Sequence, residues 1–235
     1  MIVSGLPPYP VAADQKIRDF AGLPIVGRSD VFLMLDDIRT RLLGNAVGVQ
    51  EIASRFASNT TIQDAHDDIG AAVQSLAGTW TGRAADQFVA HAANVTNALK
   101  AEQEAVASVS GVMTDIANKV IETYAAAIGF LGECAGELAK IDLKALVAAL
   151  ASVIPVVNLI GFADVIDSVI EALGNLVTRI VALFTEAVKV INGFKGSAVG
   201  LEQIKANFVE VPDLRAGSGV DEQKQWKVEP DAFPE

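Results

Sequence analysis

The sequence predicts an all-α fold, an elongated antiparallel helical bundle, and two observations predict it. Of its 235 residues 51% are hydrophobic but only 6% aromatic, so the apolar surface consists mostly of Ala, Val, Leu and Ile, which suit close helix–helix packing. Apolar residues also recur at helical spacing in successive runs along most of the chain.

Residues 1–29 carry Pro7, Pro8, Pro10 and Pro24 and read as an extended or irregular lead-in. From Asp30, placed to cap, Val31, Leu35, Ile38 and Leu42 make a short helix that Gly44 interrupts. A second run covers about residues 45–77, with Val49, Ile52, Phe56, Ile62, Ile69, Val73 and Leu76 near one face. Its middle, Ser58-Asn59-Thr60-Thr61, reads either as a break, with Thr61 and Asp64 resembling a capping box, or as a polar turn on a continuous helix.

The strongest periodicity follows Gly82. Steps of four and three residues, alternating except for two fours in succession at Ala127, run through Phe88, Ala92, Val95, Leu99, Glu102, Val106, Val109, Met113, Ile116, Val120, Thr123, Ala127, Leu131, Cys134, Leu138 and Ile141, with only Glu102 and Thr123 polar. That is the seam of one long helix, about 80 Å if unbroken, packed coiled-coil fashion on a partner helix. Gly129, Gly132 and Gly136 mark where it could bend or end.

Residues 146–163 then carry no charge, and an amphipathic helix over about 164–194 follows. The boundaries are therefore a lead-in over 1–29, a helical hairpin with a short preceding helix over 30–142, an apolar and amphipathic helical pair over 143–196, and a polar, flexible tail over 197–235. The uncharged stretch has two readings. It is a fully buried helix, or it enters lipid through Val153, Ile154, Val156, Val157, Leu159 and Ile160, although Pro155 and Asn158 weaken a stable span.

Composition excludes several functions. A net charge of −11 and a pI near 4.6 leave no general basic field for a phosphate backbone, which argues against nucleic acid. The same charge repels anionic lipid headgroups unless it is segregated. Cys134 is the single cysteine, so neither an intramolecular disulfide nor a cysteine zinc cluster can form within one chain. The stretch Met1 to Gln15 does not read as a cleavable signal peptide. His66 and His91 fall in helical runs and read as satisfied surface or interface histidines, and Asp64, Asp67 and Asp68 read as a solvated face without the Gly and Glu of a calcium loop. With no phosphate-binding glycine loop or nucleophile elbow, the expectation is no enzyme activity, no cofactor and no metal.

Between the second and third runs stands Trp80-Thr81-Gly82, followed by Ala84-Ala85 and by Phe88 at helical spacing. Gly82, lacking a Cβ, permits a sharp turn between antiparallel helices, and Trp80 is large enough to cover the open end of the hairpin. Over about residues 45–128 this resembles the WXG family of helical-hairpin proteins of type VII (ESX-type) secretion, which includes ESAT-like and, in a longer version, PPE-like proteins. The resemblance implies a four-helix assembly of two hairpins, with Trp80, Gly82 and Phe88 at an end recognised by secretion machinery. It implies a helical partner, homo- or heterodimeric, on the seam Val95, Leu99, Val106, Val109, Met113, Ile116 and Val120. It also implies secretion or action at the cell envelope. One departure is plain. The family's Tyr-x-x-x-Asp/Glu signal is absent, because Ile128 follows Tyr124 and Ala13 follows Tyr9 at that spacing. In PPE-like pairs the signal sits on the other subunit.

The expectation is thus a non-enzymatic secretion substrate or partner. Two alternatives are a membrane-active, pore-forming helical effector using residues 146–191, and a structural helical rod. A Trp80 found inside an uninterrupted helix or on a strand would remove the kinship, and the proposed role with it.

Overall fold

A computed structural model describes residues 6–151, 162–206 and 227–228, with side chains described as far as Phe194. Helices dominate it: α1 (Val11–Ala21), α2 (Ser29–Asp37) running into a π-helical turn (Ile38–Leu42), α3 (Ala46–Ala57), α4 (Thr61–Leu76), α5 (Arg83–Leu138), α6 (Leu143–Leu150) and α7 (Ala163–Ala206). Two short strands, β1 (Trp80–Thr81) and β2 (Lys227–Val228), pair antiparallel. The chain divides into two compact units, Met1–Glu51 with Thr114–Phe194, and Ile52–Met113 with Lys195–Glu235.

The first unit holds a continuous apolar core. Ile17 and Phe20 of α1, Val31 and Leu35 of α2, Ile38 of the π turn, Leu131 and Leu138 of α5, Leu146 of α6, and Val169, Leu173 and Ile180 of α7 are almost wholly buried. Each such side chain contributes on the order of 1.5–3 kcal/mol of transfer free energy.

The N-terminal lead-in differs from the irregular segment expected. Pro7, Pro8 and Pro10 all precede the first helical turn, where a missing N–H costs nothing, so they introduce α1 instead of preventing it. Ala13, Ile17, Phe20 and Ala21 then form its apolar face. Buried Asp14 is satisfied by charge-assisted bonds: Tyr9 Oη donates at 2.8 Å and Arg18 Nε at 2.9 Å, while Arg18 Nη2 reaches Asp36 on α2 at 2.7 Å.

Capping differs too. Asp30 does not cap α2; its carboxylate takes both Arg28 Nε (2.9 Å) and Nη2 (2.8 Å), a bidentate fit that holds its pKa below the usual carboxylate range. Residues 58–60 do break the second run, but the Thr61–Asp64 capping box does not form. Asn59 Oδ1 instead accepts the Thr61 N–H at 2.9 Å, and Thr60 Oγ1 donates to Asp64 at 2.9 Å. Asp142 caps α6, its side chain accepting the Ala145 N–H at 3.1 Å.

The long helix α5 passes through Gly129, Gly132 and Gly136 without a break. These glycines have open space where a Cβ would stand, so nothing forces a bend there. The C-terminal helix is longer than expected, since α7 continues to Ala206 past Gly193 and Gly196, and Lys227–Val228 is a strand. The polar tail expected from residue 197 therefore begins as helix. Of the stretch 146–163, Val153, Ile154, Val156, Val157, Leu159 and Ile160 lie outside the described residues; Leu146 and Ala149 at its start are buried.

Candidate functional site

The Trp80 segment lies in the second unit, where the helical run ends and restarts. α4 stops at Leu76, the Thr79 N–H bonds back to Leu76 O at 3.1 Å, and Trp80–Thr81 is extended. Gly82 then takes φ 95°, a conformation that L side chains rarely adopt. From Gly82, whose carbonyl accepts the Asp86 N–H at 3.1 Å, α5 begins at once. Asp86 in the first turn opposes the positive end of the helix dipole, and Ala84 and Ala85 are buried where larger side chains would not fit closely.

Trp80 is half-buried. Its ring centroid lies 5.5 Å from that of Phe88, tilted by 45°, within the range of favourable aromatic pairs. The structure thus brings Trp80, Gly82 and Phe88 together. The extended pairing was not expected from the sequence: Trp80 faces Val228 and Thr81 faces Lys227, in a strand of two residues. That pairing is a departure from a plain glycine turn between helices.

Along α5 the seam divides. Ala127, Leu131, Cys134 and Leu138 are buried as the repeat predicts, and so is polar Thr123, whose Oγ1 donates to Lys119 O at 2.7 Å. Ala92, also on the row, is buried, but Val95, Leu99, Val106, Val109, Met113, Ile116 and Val120 are only half-buried, and the buried positions beside them include Ser110 and Ala117. The reason is phase. The predicted row takes two successive steps of four around Ala127, whereas the buried residues Ser110, Ala117, Tyr124, Leu131 and Leu138 recur at steps of seven, one position after Val109 and Ile116. Ser110 lies on that line, its hydroxyl donating to Ala53 O on α3 at 2.8 Å.

In the first unit an open apolar groove of about 360 Å³ is lined by Leu42, Val120, Thr123, Phe184, Val188 and Ile191, with Arg41 and Lys119 also on its wall. Sequence reading missed it because it needs side chains from three separate elements. A smaller groove of about 200 Å³ includes Phe130, Glu133 and Arg179. The Arg179 guanidinium bonds Glu133 and stacks 3.8 Å from the Phe130 ring centroid, and it lowers the Glu133 pKa.

Cys134 lies buried beside it. Burial first, and the Glu137 carboxylate second, push its thiol up to about 11, the opposite of a reactive cysteine. His66 contacts Asp67 at 3.0 Å, and no group of three metal-ligating side chains is present among the described residues.

Comparison with family models, with curated proteins and with solved structures returns no match.

Proposed function

We propose that this chain is a non-enzymatic, type VII secretion-associated protein that acts through helix–helix recognition. In this reading α3 and α4 fold against α5 as a hairpin with Trp80, Thr81 and Gly82 at its tip. A helical partner covers the seam from Val95 to Val120, and the pair is recognised and exported by secretion machinery. The observation that carries it is the conjunction at one point of a helix break, a glycine at φ 95° and a Trp–Phe pair, next to a run of apolar residues left half-buried.

Ile52, Phe56 and Val89 are 47, 44 and 45% exposed, which adds apolar surface for a partner in the same unit. Trp80 stands on a two-residue strand, the placement named above as removing kinship with the hairpin family, so the proposal rests instead on the helix break, the left-handed glycine and the half-buried apolar run. The test is export of the chain from an actinobacterial host with and without its type VII apparatus, alongside Trp80→Ala. Export that persists without the apparatus, or is indifferent to Trp80, refutes the proposal.

A second reading, membrane insertion, is favoured by one feature. Over Ala163–Phe194, α7 is long and apolar enough to cross a bilayer, although Ile166, Val169, Leu173, Leu176 and Ile180 in it are core residues. Leakage of dye from liposomes by the purified chain, abolished by Val156→Asp, would support it; intact liposomes would remove it.

A further inference from the structure

We infer that the hairpin tip is a strand-accepting edge whose resident occupant is the chain's own C-terminal segment, so that Lys227–Val228 gates the Trp80 surface. This deepens the proposed function and rests on its reading of the tip as a recognition surface. The turn between α4 and α5 needs only a reversal, yet Trp80 and Thr81 are extended and pair antiparallel with Val228 and Lys227 respectively.

An extended backbone at an edge is a template for a further strand, and a strand supplied from a distant part of the chain fills it by the same main-chain hydrogen bonding that peptides use when they add to a sheet. The occupant's class is therefore an extended peptide. Beside the edge, Trp80 and Phe88 present an aromatic pair that side chains of such a peptide can meet. A ladder of two residue pairs is marginal alone, so an occupant belonging to the same chain can hold it while leaving it displaceable.

The test uses the full chain and no secretion machinery, so its outcome is separate from that of the export assay. Hydrogen exchange is followed at the Trp80 and Thr81 amides in the wild type and in the double variant Lys227→Pro, Val228→Pro, whose prolines cannot donate to the ladder. In an antiparallel ladder of two pairs only one of these two amides donates to the 227–228 carbonyls; exchange at that amide is expected to accelerate about tenfold, the factor that corresponds to losing roughly one net hydrogen bond, with far-UV circular dichroism unchanged. A synthetic peptide of residues 222–230 is expected to bind the double variant and restore protection, and to bind the wild type at least about tenfold more weakly because the edge is already filled. Exchange unaffected by the prolines, or equal peptide binding by both proteins, overturns the gate.

Discussion

Replacing Gly82 by Ala tests the turn directly. At φ 95° an L side chain is held in a sparsely populated region, at a cost on the order of 1–3 kcal/mol. Any Gly→Ala change also stiffens the unfolded chain, which opposes that loss by about 0.4–1 kcal/mol. Gly78 separates the two effects, because it lies in the same connection, lacks a positive φ and has open space where a Cβ would stand. Gly78→Ala carries only the unfolded-state term and should stabilise slightly. The unfolded-state contributions cancel between the two variants, so the difference in their stabilities isolates the backbone strain, about 1–3 kcal/mol, or about 5- to 150-fold in the unfolding equilibrium. Urea unfolding followed by circular dichroism measures it, provided the slopes of both variants match the wild type. Two variants equal within about 0.5 kcal/mol would refute the assignment of Gly82 as the strained hinge.

Other expectations follow from burial. Leu131→Ala empties a fully buried site and should cost about 2–5 kcal/mol, whereas Val109→Ala in the isolated chain removes half-buried methyl groups and should cost about 1 kcal/mol. Equal melting shifts would show that the α5 seam is already covered without a partner. Both tyrosines, Tyr9 and Tyr124, have pKa values raised above 10.0, chiefly by burial and at Tyr9 also by the bond to Asp14. Because the folded values lie above the unfolded one, this stability is complete below pH 10 and is lost as pH rises beyond it. A spectrophotometric titration should accordingly place the tyrosinate steps of the folded chain above those of the urea-unfolded chain. Cys134, raised from 9.0 to about 11, should carry about a hundredfold less thiolate at pH 8 than an ordinary thiol; a native reaction with a disulfide reagent as fast as that of the urea-unfolded chain would contradict its burial.

Much of the secondary structure was legible because its cause is local. The helix from Arg83 to Leu138 could be read from apolar residues every three or four positions, whereas Ser58–Thr60 left a break and a continuous helix both open, and the structure breaks there. Helix α1 was not, because four prolines within residues 1–29 suggest an extended lead-in, whereas three of them stand just ahead of a helix, where proline starts one. Buried Asp14 could not be anticipated either, since its partners Tyr9 and Arg18 act together only once α1 has formed.

By itself the sequence determined that this chain is helical, that Gly82 is where a helix must give way, and that Trp80 and Phe88 come with it, since periodicity, propensity and the absence of a Cβ are properties of short segments. Tertiary structure alone decided which edge of the α5 seam is covered, because that depends on what packs against the helix, as α3 does at Ser110. It alone decided that Lys227–Val228 lies on Trp80–Thr81, because pairing between residues so far apart in the chain depends on where folding places both strands, and no local pattern encodes that.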